Sequence, residues 1–362
     1  MNSAGWISRN AITCIKTYFK PRKSVNTSFT VGSDTSARNF SVTCSKNMKF
    51  AQFTYNNSSE VRVGYVEGDN VVDLNKADSS IPTTLIQLLR NGDLEKVKRV
   101  KASNPASVPL SSVKLVAPIQ GMDKVLCIGL NYKDHCEEQK LKPPEVPMIF
   151  NKFPSTVIGP CDAVRLRTDV TKVRNYEFLL GMHGDGEHRN QLNITIFSIT
   201  KVDWEVELVV VIGKKASNIK AADAYNYILG YTVSQDISAR DWQKERNGGQ
   251  FLLGKSMDTF CPIGPYIVTT DEITDPQTLD IKCSVNGVLK QTSNTCNLVH
   301  KIPDVIERLS SVMTLLPGDI LLTGTPGGVG MYRDPPEYLK PGDVVHSEIQ
   351  KIGVLETKIE KF

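Results

Sequence analysis

The chain has 362 residues, 40% of them hydrophobic, which is enough to bury a large core and excludes intrinsic disorder as its general state. It contains no run of about 18 consecutive apolar residues, so no membrane-spanning helix and no membrane partner are predicted. The formal net charge of +4 comes from residues 1–40, because the rest carries 37 basic and 38 acidic residues. This balance gives no support for nucleic-acid binding.

Residues 1–47 predict a transit peptide or a disordered segment. The first 40 residues are rich in Ser, Thr, Lys and Arg and contain a single acidic residue, Asp34, as mitochondrial import signals do. The segment from Arg38 to Ser41 resembles a matrix-protease cleavage site. We therefore predict a location in the mitochondrial matrix. The alternatives are an unprocessed tail and, with translation starting at Met48, a cytosolic form.

Residues 48–120 predict a small α+β domain followed by a connector. Alternating apolar residues indicate short strands, and two helical patterns follow them. The predicted strands are Met48–Tyr55, Arg62–Val66 and Val71–Leu74, and the predicted helices are Thr83–Leu89 and Leu94–Val100. Residues 103–120 contain three prolines and four serines, which favour an extended connector.

Residues 121–362 predict a larger, β-rich domain. Short apolar, β-branched segments separated by glycine and proline indicate many strands and few helices. The clearest predicted strands are Val125–Ile128, Val206–Ile212, Leu279–Val285, Asp319–Thr323 and Val344–Ile349, and the predicted helices are Ala221–Ile228 and Ile302–Val312. Because strands and helices do not alternate regularly, we predict an α+β fold with a mixed sheet and not a Rossmann fold.

Three acidic residues predict a metal site. Glu205 and Glu207 lie two residues apart in an apolar strand, so they face the same side, about 7 Å apart along the backbone. Two carboxylates facing inward are costly unless a cation neutralises them. The alternative is a solvated edge of the sheet. Asp236, in a polar turn after an apolar strand, offers a third oxygen ligand, and such a set favours Mg²⁺, Mn²⁺ or Ca²⁺ over zinc.

Five motifs in order resemble the fumarylacetoacetate hydrolase family. They are Gly129–His135, Trp204–Glu207, Gln235–Asp241, Gly254–Ser256 and Leu322–Pro326. The resemblance covers about residues 123–362, and the preceding segment is similar to the N-terminal domain of the subgroup called fumarylacetoacetate hydrolase domain-containing protein 2. It implies a mixed β-roll, Mg²⁺ or Ca²⁺ on Glu205, Glu207 and Asp236, and a homodimer.

The resemblance also implies the substrate class. Family substrates are 2-oxo and 2,4-dioxo acids, whose carboxylate and keto oxygens chelate the metal together and make the adjacent carbon acidic. A Lewis acid then stabilises the enolate, and Lys255, nineteen residues after Asp236 as in the family pattern, adds positive charge. Lys255 lies in the apolar segment Phe251–Lys255, which indicates a buried side chain; the alternative is a surface lysine.

His135 and Glu138 are a candidate catalytic dyad. Residues three apart meet on one face of a helix, where Glu138 would orient His135 and raise its basicity. Glu137 is adjacent and is the competing partner, and a surface contact is the alternative for the whole pair. The dyad resembles the one that the family places on a mobile lid over the metal.

Three further residues are candidates for substrate binding. Arg240 and Gln243 follow Asp236 by four and seven residues, a helical spacing that would direct all three toward one site. Thr325 lies in the Thr-Gly-Thr-Pro turn. Leu130 departs from the family pattern, because related acylpyruvases have arginine at that position. Acylpyruvate cleavage is therefore less favoured.

Residues 173–201 interrupt the family pattern. The codons of Val173 and Arg174 can form a splice-donor sequence, and the codon of Lys201 can end in AG, as an intron does. The 29 codons of this segment are therefore compatible with a retained intron of 87 nucleotides. If translated, the insert is expected to form a disordered loop. A metal site at His183–His188 is not favoured, since nothing else in the segment supports a fold around it.

The sequence predicts a magnesium-dependent enzyme that acts on a small dicarbonyl acid through a metal-bound enolate. The preferred reaction is keto–enol tautomerisation of oxaloacetate, because it needs proton transfer by His135 and Glu138 but no attack by water. C–C hydrolysis of the acylpyruvase or fumarylacetoacetate type and decarboxylation are the alternatives. A catalytically silent metal-binding protein is the alternative of another class.

Overall fold

The computed structural model describes residues 48–56, 58–167, 171–174, 194–197 and 199–362. The predicted transit peptide and the His183–His188 motif lie outside these residues, as does most of the predicted insert. Within the described part of the chain, no helix combines the length and the apolar character needed to cross a bilayer.

The first part of the fold contains the predicted strands and helices. Its elements are β1 (Lys49–Tyr55), β2 (Arg62–Glu67), β3 (Asn70–Asp73), α1 (Leu74–Ala77), α2 (Leu85–Asn91), α3 (Leu94–Ala102), β4 (Ser107–Pro109) and β5 (Val113–Val116). Gly68, with a φ of 57°, forms the tight turn between β2 and β3, and Gly92, with a φ of 73°, ends α2 in the left-handed conformation. The predicted connector thus carries two short strands.

The second part is richer in strands. From residue 125 to 212 the elements are β6 (Val125–Gly129), α4 (Lys133–Glu138), β7 (Met148–Lys152), β8 (Val157–Ile158), β9 (Ala163–Leu166), β10 (Thr171–Arg174), β11 (Ile194–Phe197), β12 (Val202–Asp203) and β13 (Val206–Ile212). Strand β10 pairs with β11 in antiparallel orientation. The last two residues of β10 and all of β11 belong to the predicted insert, so described parts of a segment expected to be a disordered loop form strands. The helical segment predicted at Ala221–Ile228 is a 3₁₀ helix over Ala221–Tyr227, and Ile228 begins the next strand.

The remaining elements include the strands that complete two large sheets, and β15, which pairs with β12. They are β14 (Ile228–Gln235), β15 (Ser238–Ala239), α5 (Arg240–Lys244), α6 (Leu252–Lys255), β16 (Cys261–Thr269), β17 (Asp280–Val285), β18 (Val288–Asn294), α7 (Ile302–Val312), β19 (Ile320–Leu322), β20 (Val344–Ile349) and β21 (Gly353–Lys361). Helix α7 coincides with its predicted range and has Pro303 in its first turn, where proline costs no hydrogen bond.

A twelve-stranded mixed sheet forms the centre of the molecule. Its order is β4-β3-β2-β1-β16-β14-β13-β19-β6-β7, with β5 beside β1 and β8 beside β16. A second sheet has the order β18-β17-β20-β21-β9. Because β1 pairs with β16, the segment predicted as a separate small domain shares one continuous sheet with the larger domain.

Strand β13 lies between two apolar cores. Leu208 and Val210 pack with residues of the five-stranded sheet and α7, whereas Val209 and Val211 pack with residues of β1, β2 and α2. Every residue of the strand is buried. A strand covered on both faces has no contact with water, so a carboxylate on it needs a partner inside the protein.

Candidate active site

Glu205, Glu207 and Asp236 meet at one end of β13. Glu207 is opposite Ser234 in the pairing of β13 with β14, and the backbone N–H of Asp236 donates to the carbonyl of Glu205 at 2.8 Å. Oxygen atoms of the three carboxylates all lie within 4.8 Å of one another, and the three residues are buried. The residues predicted as metal ligands are therefore brought together.

The charge of this cluster fits a divalent cation. Burial, followed by the nearby carboxylates of Asp236 and Glu205, raises the pKa of Glu207 well above its ordinary value, although Lys255 acts in the opposite direction. Three converging carboxylate oxygens repel one another unless a cation lies between them. An all-oxygen donor set is the type that hard cations prefer. The residues present therefore fit a metal of the magnesium or calcium kind.

Two buried cations hold Glu205 in its ionised form. Lys255 Nζ donates to Glu205 at 2.7 Å and to Asp236 at 2.6 Å, and Arg240 Nη2 contacts Glu205 at 2.7 Å. Burial by itself would raise the pKa of Glu205, but Lys255 and Arg240 outweigh it and lower this pKa to about 2. Lys255, predicted to be buried, is 1% exposed and carries its charge beside two of the three carboxylates.

Lys152 is a buried partner of the cluster that the sequence reasoning missed. Its Nζ donates to Asp236 Oδ1 at 2.6 Å and to the carbonyl of Ile237 at 3.0 Å. Lys255 donates to Oδ2 of Asp236, so each carboxylate oxygen of Asp236 accepts a hydrogen bond from a lysine. The available signal was a lysine at the end of the apolar segment Met148–Lys152, a position where a charged side chain needs a partner.

Arg240 and Gln243 form a second polar group next to the triad. Arg240 donates through Nε to Asp203 at 2.9 Å and through Nη1 to Gln243 at 3.0 Å. Asp203, also missed, accepts from the backbone N–H groups of Gly330 and Met331. Arg240 and Gln243 share α5, but the helix begins at Arg240, so the predicted helical relation to Asp236 was wrong.

The predicted dyad is formed on α4. His135 Nδ1 lies 2.5 Å from Glu138 Oε1, and the backbone N–H of Gly328 donates to Glu138 Oε2 at 2.8 Å. Glu137, the competing partner, is exposed. Since the ionised Glu138 carboxylate only accepts hydrogen bonds, His135 carries its proton on Nδ1 and has a lone pair on Nε2.

Several of these groups line one open pocket. Besides His135, Glu205 and Lys255, the pocket is lined by Glu207, Arg240, Gln243, Thr325 and Leu130. Thr325 Oγ1 donates to the carbonyl of Val206 and accepts from Gln291, so its hydroxyl is engaged within the protein. The apolar side chain of Leu130 also lines the pocket.

Comparison with known proteins identifies the family. The family model described as "Fumarylacetoacetate (FAA) hydrolase C-terminal" matches residues 124–360. The chain belongs to the fumarylacetoacetate hydrolase family. The predicted family resemblance is therefore confirmed.

Members of the fumarylacetoacetate hydrolase family with known names are similar over most of the chain. Mitochondrial oxaloacetate tautomerase Fahd2a of Rattus norvegicus is 45% identical over 318 residues, covering 87% of this chain and 92% of the rat protein. Mitochondrial oxaloacetate tautomerase fahd2 of Xenopus laevis is 42% identical, covering 89% and 93%. The structure of maleylpyruvate hydrolase from Sphingobium sp. SYK-6 in complex with manganese(II) and pyruvate has a TM-score of 0.65 and 28% identity, covering 87% and 99%.

These similarities confirm four predictions from the sequence. The chain has the β-rich α+β fold of the fumarylacetoacetate hydrolase family, belongs to its domain-containing protein 2 subgroup and is a metal-dependent enzyme. The mitochondrial location is confirmed through the names of its relatives.

Proposed function

We propose that the protein catalyses the keto–enol tautomerisation of oxaloacetate with a divalent cation. The observation that carries the proposal is that His135, held through Nδ1 by Glu138, lines the same pocket as Glu205, Glu207 and Lys255. A proton-transfer group and a site for negative charge are thus close together. The relatives named oxaloacetate tautomerase support the choice of substrate.

Glu205, Glu207 and Asp236 would hold the cation, with Mg²⁺ as the proposed ion and Mn²⁺ or Ca²⁺ as alternatives. When bound, the cation supplies a Lewis acid that stabilises negative charge on the 2-oxygen of the substrate. Lys255, whose ammonium contacts two of these carboxylates, adds fixed positive charge in the same place. The manganese(II) in the Sphingobium hydrolase supports a hard divalent ion.

The proton steps are assigned to the dyad. In the enol-to-keto direction an O–H bond of the substrate breaks and a C–H bond forms at C3, so one proton leaves oxygen and one is added to carbon. His135 Nε2 would accept the first proton and return a proton to C3. Glu138, held by the backbone N–H of Gly328, would stabilise the imidazolium between these steps. Arg240, Gln243 and Thr325 are proposed to orient the substrate.

C–C bond hydrolysis is the second candidate. It shares the enolate, and the Sphingobium structure with pyruvate belongs to a protein named a hydrolase. In the present pocket, however, position 130 is an apolar leucine. Hydrolysis and decarboxylation both break a carbon–carbon bond and release two products, whereas tautomerisation leaves the carbon skeleton intact, so the reactions can be distinguished by product analysis.

The test follows the loss of enol-oxaloacetate absorbance in the presence of Mg²⁺. We expect His135→Gln to lower kcat by roughly 10²- to 10⁴-fold, the usual contribution of a general acid–base group. Glu137→Gln changes an exposed residue on the same helix and serves as the matched control, with activity close to wild type. Equal rates in the wild type and His135→Gln would contradict the proposal. Pyruvate appearing at the rate of enol loss would favour decarboxylation.

Two further features are proposals. A homodimer, predicted from the family resemblance, is tested by analytical ultracentrifugation. We also propose that residues 173–201 derive from a retained intron. Transcript sequencing tests this, and a message that keeps these codons in most reads would exclude it.

A further inference from the structure

Lys244 is a pocket-lining cation without an ion pair among the residues that the structure describes. It lies on α5, one turn after Arg240, and its side chain is exposed. Within the described residues, no carboxylate oxygen lies within 4.0 Å of its Nζ. Arg240 and Lys255, in contrast, are each paired with two carboxylates. The charge of Lys244 is therefore available to an anionic part of a ligand.

A chain of hydrogen bonds connects Lys244 to the catalytic histidine. Lys244 Nζ lies 2.6 Å from Tyr332 Oη, Tyr332 donates to Gln139 Oε1 at 2.9 Å, and Gln139 Nε2 lies 2.9 Å from His135 Nε2. The ring centroids of His135 and Tyr332 are 6.3 Å apart. This series of hydrogen bonds ends at Glu138, whose carboxylate accepts from His135 Nδ1.

The direction of every bond in this chain is determined by its two ends. An ammonium group can only donate and a carboxylate can only accept. Tyr332 must therefore accept from Lys244 and donate to the amide oxygen of Gln139, which directs the amide N–H toward His135 Nε2. The lone pair that would accept a substrate proton is consequently covered by Gln139 in this arrangement.

We propose that Lys244 and Tyr332 bind the second carboxylate of a dicarboxylate substrate, and that this binding uncovers Nε2 of His135. The inference rests on the proposed function. A substrate carboxylate at Lys244 would accept the hydrogen bond from the hydroxyl of Tyr332. Gln139 Oε1 would then lose its donor, so the amide group of Gln139 would no longer be held against Nε2 of His135. Gln139 is thus a positioning residue, and the pocket responds to the charge at the far end of the substrate.

The position of Lys244 suits this role. Arg240 and Lys244 are four residues apart on one helix, roughly 6 Å between their Cβ atoms, which is comparable to a four-carbon chain. Arg240 contacts the triad through Glu205, and Lys244 follows Arg240 by one helical turn and lines the same pocket. A substrate whose chelating end faces the triad can therefore reach Lys244 with its other carboxylate.

The experiment compares oxaloacetate with 2-oxobutanoate, which has a methyl group in place of the second carboxylate. Tautomerisation of enol-oxaloacetate is followed by absorbance, and C3 proton exchange of 2-oxobutanoate in D₂O by NMR, both with Mg²⁺. We expect Lys244→Met to raise KM for enol-oxaloacetate about 10-fold, as for loss of one hydrogen bond to a charged group. Lys244→Arg should recover most of this loss, and exchange of 2-oxobutanoate should stay unchanged in both variants.

Gln139→Met tests the coupling to His135. Without the amide, Nε2 is uncovered for any substrate, so we expect kcat for 2-oxobutanoate exchange to rise about 3- to 10-fold, as for loss of one neutral hydrogen bond. The ratio of oxaloacetate to 2-oxobutanoate turnover should fall accordingly. A role of Gln139 in folding alone would lower both rates together.

Two controls separate the possible failures. Oxalate chelates a metal through one oxygen of each of its two adjacent carboxylates and has no further carboxylate, so its inhibition should be the same in the wild type and Lys244→Met. Lys215→Met controls for the loss of an exposed positive charge. Wild-type protein inactive on enol-oxaloacetate would overturn the proposed function. Active wild type with an unchanged KM in Lys244→Met, or with no gain in Gln139→Met, would overturn this inference.

Discussion

Replacing Glu207 with glutamine should stabilise the metal-free protein while abolishing its response to Mg²⁺. Oxygen atoms of Glu207, Glu205 and Asp236 lie within 4.8 Å of one another, where two unit charges repel by roughly 3–4 kcal/mol at an effective dielectric constant of about 20. Glu207 has two such neighbours, and Lys255 offsets about one of them. Glutamine keeps the shape and can still accept the backbone N–H of Gly324, so the net gain is about 3 kcal/mol.

Thermal unfolding measures this gain. With an unfolding entropy of about 2.1 cal/mol/K per residue, 3 kcal/mol corresponds to roughly 5 °C for about 300 folded residues. Mg²⁺ at about 100 times its Kd should stabilise the wild type by about 2.7 kcal/mol, whereas Glu207→Gln should gain nothing. In EDTA the melting temperature of Glu207→Gln should exceed that of the wild type. In Mg²⁺ this difference should become smaller or change sign. Glu348→Gln, an exposed residue on β20, should match the wild type in both conditions.

The pH dependence gives a second check. Because the pKa of Glu207 is raised above its ordinary value of 4.5, the contribution of Glu207 to stability is fully present below pH 4.5 and is lost as the pH rises through the folded-state pKa. In EDTA, the difference between Glu207→Gln and wild type should therefore appear above pH 4.5 and vanish below it. A lower melting temperature of the metal-free variant at pH 7, or a remaining Mg²⁺ response, would refute the reasoning.

Three other changes test the structure. Lys152→Met should lower the free energy of unfolding in urea by about 3 kcal/mol, because Asp236 keeps a buried charge with one partner fewer. Lys114→Met, which removes an exposed ion pair, should lower it by less than about 1 kcal/mol. Gly230→Ala should cost about 1–3 kcal/mol by the same measurement, since its Cβ would lie 2.2 Å from the carbonyl oxygen of Val268. Deletion of residues 173–201 should leave Mg²⁺ affinity unchanged in calorimetry; a large loss would show that the segment supports the triad.

The sequence could predict those parts of the site that depend on local periodicity. Glu205 and Glu207 are two residues apart and their carboxylates meet, as the alternation of side chains along a strand predicts, although β13 begins at Val206 and Glu205 directly precedes it. His135 meets Glu138 because residues three apart share a helix face. Both relations hold over a few residues, so they need no knowledge of the tertiary fold.

The missed residues depend on contacts distant in sequence. Lys152 is 84 residues from Asp236, and Asp203 is 37 residues from Arg240, so no spacing rule connects either pair. The error at Asp236 has a related cause. Four-residue spacing suggested a helix, but Asp236 directly follows β14 and its backbone N–H bonds to Glu205 across the sheet. Pairing with a neighbouring strand therefore determined its conformation.

The pairing of β1 with β16 has a consequence for any shortened form of the protein. Lys49 and Phe50 are opposite Val268 and Ile267, and β1 covers one side of this strand. A fragment starting after Tyr55 would leave N–H and C=O groups of β16 open to other extended chains. Such a fragment should self-associate, so the family region alone is a poor choice for recombinant production.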